Sequence, residues 1–284
     1  MKIIVAGASG VIGRALIPLL LKAGHEVVGL TRNTEHAEEL KDKGVQPVIL
    51  DIYDRDGVFA ALREARPDTV IHQLTALSGR KFAENARIRV EGTRNLVDAS
   101  LEAGARKMIV QSISWAYSPG NGPAGEDTPL DLEAPLPRKS TIDGIHALES
   151  AAAEMPERVI LRYGLLYGAG TWYAPDGFIA QQVRQQEVAA TAGVSSFVHA
   201  DDAAQAALLA LQWPSGAFNI TDNEPAAGTE WLPVYADALG APAPAVDPAS
   251  AAAWERGALN GKALQHGWKP RYASWRDGFR YALG

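Results

Sequence analysis

Lys2-Ile3-Ile4-Val5-Ala6-Gly7-Ala8-Ser9-Gly10-Val11-Ile12-Gly13-Arg14 opens the chain, and its reading decides the fold. An apolar run of strand type stops at Gly7. Two more glycines follow at three-residue intervals, and the apolar residues from Ala15 to Leu21 recur with helical period. A strand, a tight glycine turn and a helix start in that order make an anion site. The first turn of a helix has unpaired N–H groups and positive dipole character. Gly7 makes the turn, Gly10 leaves the backbone open to a ligand, and Gly13 lets helix and strand pack closely. Ser9, Val11 and Ile12 complete a cradle of the size and charge for a pyrophosphate.

The rest of the chain continues the alternation. Strands are predicted over residues 26–30, 45–50, 69–74, 107–112 and 159–164. Helices are predicted over 35–43, 58–64, 83–103 and 141–154. Strands alternating with helices at this spacing give an α/β fold, a Rossmann-type doubly wound parallel sheet. The segment 118–137 is rich in Pro, Gly and acidic residues and reads as a long functional or mobile loop. Six of the seven tryptophans fall after residue 170, among short elements. That texture predicts a smaller C-terminal substrate-binding lobe. The expected division is a dinucleotide-binding domain over 1–165, completed by about 197–222, and a substrate lobe from 166–196 and 223–284.

Composition excludes several classes. The chain has 284 residues, 47% of them hydrophobic, a formal net charge of −6 and no cysteine. Disulfides, thiolate nucleophiles and cysteine metal sites are therefore absent. The charge balance argues against a nucleic-acid or anionic-membrane partner. No apolar run approaches the roughly 20 residues of a membrane span, so a cytoplasmic protein is expected. The histidines show no metal spacing, and no Gly-x-Ser-x-Gly hydrolase motif is present.

The end of the second strand bears on cofactor choice. A carboxylate there would accept hydrogen bonds from a ribose 2′-hydroxyl. This chain has Thr31 and then Arg32, and a guanidinium pairs with a 2′-phosphate. NADP is favoured over NAD on that ground; the alternative is a solvated loop arginine. Asp51 and Ile52, after the third strand, are placed at the adenine edge. Leu74, Thr75 and Ala76, at the end of the fourth strand, complete the predicted cofactor contacts.

The chain resembles the extended short-chain dehydrogenase/reductases of the NAD-dependent epimerase/dehydratase type. The resemblance rests on Gly7-Ala8-Ser9-Gly10-Val11-Ile12-Gly13, Asp51-Ile52-Tyr53-Asp54 and Glu91-Gly92-Thr93-Arg94-Asn95-Leu96. It extends through Leu161-Arg162-Tyr163-Gly164-Leu165-Leu166-Tyr167-Gly168, Phe197-Val198-His199-Ala200-Asp201-Asp202-Ala203, Phe218-Asn219-Ile220 and Gly267-Trp268-Lys269-Pro270. It implies a homodimer paired through helices over 84–103 and 141–154.

The resemblance also exposes a departure. Such proteins carry Tyr-x-x-x-Lys on one helix face, where the lysine lowers the phenol's pKa for acid–base work. In this chain the tyrosine place holds Thr141 or Ile142 and the lysine place Ile145 or His146. Arg89 stands where an asparagine is usual before Gly-Thr. Candidates to supply the chemistry are Ser112, with Ser114 as its alternative by register, and the phenols of Tyr117 and Tyr163. Tyr163 is also expected beside the nicotinamide. Tyr167, His146 and His199 are weaker candidates, and Asp201-Asp202 reads as a helix cap. The expected activity is an NADP(H)-dependent oxidation or reduction of a small or medium carbonyl or alcohol with a non-standard site. The alternatives are a nucleotide-sugar epimerase/dehydratase, a non-redox lyase, cyclase or isomerase, and a non-catalytic dinucleotide-binding sensor.

Overall fold

A computed structural model describes residues 1–77 and 79–283, apart from the Leu283 side chain. In chain order the first half runs β1 (Lys2–Ala6), α1 (Val11–Lys22), β2 (Glu26–Thr31), α2 (Thr34–Asp42), β3 (Gln46–Ile49), α3 (Arg55–Ala65), β4 (Thr69–His72) and α4 (Phe82–Arg87). After α4 come a π-helical segment (Ile88–Gly92), α5 (Thr93–Glu102), β5 (Lys107–Ile113) and α6 (Arg138–Ala152). The second half has β6 (Glu157–Tyr163), β7 (Leu165–Tyr167), α7 (Phe178–Arg184), β8 (Ala190–Thr191), β9 (Val194–Ser195), β10 (Phe197–His199) and α8 (Ala200–Leu209). It ends with β11 (Gly216–Ile220), β12 (Ala226–Ala227), α9 (Gly228–Ala238), β13 (Val246–Asp247), α10 (Gly261–Gln265) and α11 (Trp275–Leu283).

Seven strands form one parallel sheet in the order β11-β6-β5-β4-β1-β2-β3. From β1 the chain winds outward through β2 and β3, then returns to β4 on the other side. The point of reversal lies between β1 and β4, where Ile3–Ala6 stand opposite Thr69–His72. Ile3, Ile4, Val5 and Ala6 have no exposed surface. Burying an Ile or Val side chain contributes about 1.5–3 kcal/mol, so β1 anchors the sheet.

The chain divides into two compact units. One comprises 1–112, 132–161 and 204–217; the other comprises 113–131, 162–203 and 218–284. The first buries an aliphatic core that includes Ile4, Val28, Val58, Leu62, Val70, Leu96 and Met108. The second buries an aromatic core of Tyr167, Tyr173, Phe197, Trp231, Tyr235, Trp275 and Phe279. The tryptophan-rich texture of the late sequence therefore reflects this second core.

One element differs from expectation. The helix read over 83–103 is interrupted by the π-helical turn, which widens the backbone spiral at Ile88–Gly92. The loop over 118–137 is tied back on itself: Ser118 N–H donates to Pro129 and Asp131 N–H to Ala116. Among the described residues no helix is long and apolar enough to cross a membrane.

Candidate functional site

A cavity of about 710 Å³ opens at the reversal point of the sheet. Gly7, Ser9, Gly10 and Val11 form its floor after β1. Gln73, Leu74 and Thr75 line it after β4, and Leu30, Thr31 and Arg32 line it after β2. Gly7 adopts φ +91°, and a Cβ there would stand 2.6 Å from the Gln73 carbonyl oxygen. At Gly13 a Cβ would stand 2.2 Å from the Gly7 carbonyl oxygen and 2.7 Å from that of Ala8. Gly10 is different: a Cβ there would meet only the Gly7 carbonyl oxygen, at 3.3 Å. Its other side is open, and α1 starts beside it with no side-chain cap and no acidic residue in its first turn. An uncapped helix end over a glycine floor fits the phosphates of a dinucleotide.

Of the predicted cofactor contacts, Gly7, Ser9, Gly10, Val11, Thr31, Arg32, Ile52, Leu74 and Thr75 line the cavity. Ile12 and Gly13 lie in the first turn of α1. Asp51 accepts the Tyr53 N–H at 3.0 Å, and Ala76 N–H donates to Asn85 at 3.1 Å. Arg32 Nη1 donates to Glu84 Oε1 at 3.2 Å, with the arginine side chain half exposed.

Sequence reading missed Asn33, Thr34, Glu35 and His36, which also line the cavity. The signal was available: Asn33 caps α2, its Oδ1 accepting from Glu35 N–H at 2.7 Å and His36 N–H at 3.2 Å. A second helix N-terminus therefore faces the same space.

The end of β4 is tied to the π-helical turn by a buried polar chain. His72 Nδ1 accepts the Leu74 N–H at 3.2 Å, so the ring proton sits on Nε2, 2.9 Å from Thr93 Oγ1. The Thr93 hydroxyl donates onward to the Ile88 carbonyl at 3.3 Å. Burial is the main cause that lowers the His72 pKa to about 4, with Arg89 adding to it; the ring is neutral at ordinary pH. Arg89 itself is 9% exposed, and burial pulls its guanidinium down to about 10.

The catalytic candidates fall into two groups. Ser112, near the end of β5, donates to Glu149 Oε1 of α6 at 2.6 Å, with both residues buried. Tyr117 and Tyr163 belong to the second unit. The Tyr117 hydroxyl is held by Asn219 Oδ1 at 2.5 Å and receives Arg162 Nη1 at 3.1 Å. Burial pushes its pKa up to about 12. Tyr163 is buried at the end of β6, where its carbonyl accepts the Ser114 N–H at 2.9 Å. Desolvation likewise pushes the buried Tyr167 phenol above the usual range.

Asp202 does not cap its own helix as expected. Its carboxylate accepts Arg271 N–H at 2.7 Å and Tyr272 N–H at 2.9 Å, fastening a segment nearly seventy residues later. His199 Nδ1 accepts the Asp201 N–H at 3.1 Å, and its ring lies 4.1 Å from that of Tyr272. Among the described residues no group of three or more His, Asp or Glu is placed to hold a metal ion.

Comparison with known proteins agrees with this fold. The model of the NAD dependent epimerase/dehydratase family matches residues 3–221. A 3-diazoavenalumate denitrifying reductase from a Streptomyces species is 42% identical, over 98% of this chain and 99% of its own. A 2-alkyl-3-oxoalkanoate reductase from Stenotrophomonas maltophilia is 27% identical over 85% of this chain and 77% of its own. Among solved structures, a UDP-glucose 4-epimerase from Thermus thermophilus in complex with NAD is 28% identical. It matches with a TM-score of 0.76 over 100% of this chain and 98% of that one. With its glycine-floored Rossmann cavity and a family match across most of its length, the chain belongs to the NAD-dependent epimerase/dehydratase family of extended short-chain dehydrogenase/reductases.

Proposed function

We propose that this protein is an NADPH-dependent reductase whose acceptor needs no protein-derived proton, with an arenediazonium cation the first such acceptor to test. One observation carries the reading: the dinucleotide cradle is intact, while Thr141, Ile142, Ile145 and His146 occupy the places of the family tyrosine and lysine.

The dinucleotide would be held by Gly7, Ser9, Gly10 and Val11 under its phosphates, by Thr31 and Arg32 at the ribose, and by Ile52, Leu74 and Thr75 along the walls. When bound it supplies hydride. Arg32 supports the 2′-phosphorylated form, because a guanidinium attracts that group and no carboxylate ends β2 to repel it.

A carbonyl acceptor builds negative charge on oxygen and calls for a positioned acid. The Tyr117 phenol does not suit that task. Tyr117 is engaged at both its donor and acceptor sides, and its pKa lies near 12, far from the value for acid–base work near neutrality. A diazonium-type acceptor begins cationic. Adding hydride neutralises it, the carbon–nitrogen bond breaks, dinitrogen leaves, and one hydrogen replaces it on carbon. Charge and atoms balance with no proton taken from the protein. The residues then need only bind, orient and exclude water. The Streptomyces relative's name, a denitrifying reductase of a diazo compound, supports the same class. A homodimer through α5 and α6 in the cytoplasm is the form we expect for the active species.

The test is direct. Purified protein is mixed with NADPH and either an arenediazonium salt or a matched aryl ketone. The expected result is enzyme-dependent NADPH consumption and stoichiometric dinitrogen release with the diazonium salt, faster than any consumption with the ketone. Turnover of the ketone alone, or of neither, overturns the diazo assignment.

A further inference from the structure

Arg89 is the most exceptional charge in the first unit. It sits in the π-helical turn, is 9% exposed, and has no hydrogen-bond or ion-pair partner among the described residues. Other arginines of this helical stretch are paired: Arg87 with Glu91 at 2.6 Å, and Arg94 with Asp98 and Glu154. A guanidinium this little exposed and without a counter-charge is costly, and a bound anion would relieve that cost.

Its position says where that partner comes from. The stem lies against α6 at Gly144, where an added Cβ would stand 3.3 Å from Arg89 Cδ and 3.6 Å from its Cβ. The missing side chain of Gly144 is what leaves room for it. Gly144 is within one helical turn of Thr141 and adjoins Ile145, the places of the absent tyrosine and lysine. On the other side the guanidinium is close enough to His72, the last residue of β4, to disfavour its protonation. The preceding residue, Ile88, lines the cofactor cavity. The cation is therefore lodged between the carboxyl end of β4 and α6, at the end of the sheet where ligands of such folds react.

We infer that Arg89 binds a carboxylate of the substrate and so selects acidic acceptors for the reductase site. A planar guanidinium matches a carboxylate with two parallel hydrogen bonds. Neutral His72 adds no second positive charge beside it, and among the described residues no carboxylate is ion-paired with Arg89. The inference rests on the reductase reading for the word substrate, but the anion site can be tested without turnover.

Calorimetry on the protein saturated with NADP⁺ compares benzoate and cinnamate with benzamide and cinnamamide. The parent protein should prefer each carboxylate over its amide by at least about tenfold, the usual worth of a charged hydrogen bond. Arg89→Gln should abolish the preference, and Arg89→Lys should keep part of it. NADPH affinity should be unchanged in both. A second readout separates binding from scaffolding: without ligand, Arg89→Gln should melt above the parent, because an unpaired buried charge has been removed. Equal affinity for carboxylate and amide, a preference that survives in Arg89→Gln, a lower melting temperature or failure of that variant to fold, or loss of NADPH binding would each overturn the inference. A diazonium salt without a carboxylate tests the reductase reading separately, so either can fail while the other stands.

Discussion

Ser112 Oγ donates to Glu149 Oε1 at 2.6 Å, joining β5 to α6 through two buried residues. The contact fixes the helix that carries Thr141 and Ile145 against the strand beside it. Ser112→Ala leaves the carboxylate short of one donor in a dry setting, which costs about 1–3 kcal/mol. The urea midpoint should fall accordingly while NADPH affinity stays within about twofold of the parent, a difference under about 0.5 kcal/mol. If stability is unchanged and turnover alone collapses, Ser112 touches substrate instead.

The two inner glycines of the opening stretch should separate fold from binding. In Gly13→Ala the new Cβ collides with two backbone oxygens, at 2.2 and 2.7 Å. Backbone cannot yield as a side chain does, so the variant should lose at least about 2 kcal/mol. In Gly10→Ala the Cβ meets one oxygen at 3.3 Å, and φ is −74°, which any residue adopts. That variant should keep its stability to within about 1 kcal/mol and still bind NADPH at least about tenfold more weakly, because the methyl group takes the ligand's place. Thermal melts and calorimetry on the pair check both halves.

Those glycines show why the first half of the chain is legible. Strand, turn and helix are specified by residues adjacent in sequence, and the fully buried run Ile3–Ala6 cannot be other than a central strand. Features set by distant partners are not legible in this way. Arg89 has the sequence look of a surface helix residue until the π-helical turn redirects it and Gly144 of another helix makes room. Asp202 looks like a helix cap until Arg271 and Tyr272 claim both its oxygens. Tyr117 looks like a free phenol until Asn219 and Arg162, far along the chain, engage it.

Cofactor choice turns on Arg32, which the free protein holds against Glu84 at 3.2 Å. So exposed a pair is weak and screened by solvent, and a 2′-phosphate with two negative charges should displace the carboxylate. Arg32→Ala should weaken NADPH by about tenfold or more and leave NADH nearly unaffected. Glu84→Gln removes the competitor and should tighten NADPH modestly. Equal losses of NADPH and NADH in Arg32→Ala would point to a structural role for the arginine and to NAD as the cofactor. Binding isotherms for both nucleotides against each variant decide the matter.

The second unit contains a pH-dependent element in Asp222. Its carboxyl group is 1% exposed. Oδ1 accepts the Glu224 N–H at 3.2 Å, and among the described residues Oδ2 has no hydrogen-bond partner. Burial pushes its pKa up to about 8, against the help of backbone N–H groups from Glu224 and Trp275. An unfolded aspartate releases its proton near about 3.9, whereas the folded protein holds it until about 8. Between those values the folded state binds more protons than the unfolded one, so stability falls as pH rises. The contribution of Asp222 is complete below about pH 4 and is gone once the pH passes about 8. His72 slopes the other way: its depressed pKa means that its contribution is present above about 6.5 and lost as pH falls toward about 4. The two partly cancel in the parent, so the informative quantity is the difference between parent and Asp222→Asn. Asparagine keeps the shape and cannot ionise. The variant should exceed the parent by at least about 2 kcal/mol at pH 8, and the gap should close as the pH is lowered toward 4. Urea titrations across that range measure it; a gap that does not change with pH would mean that Asp222 is ionised in the folded protein.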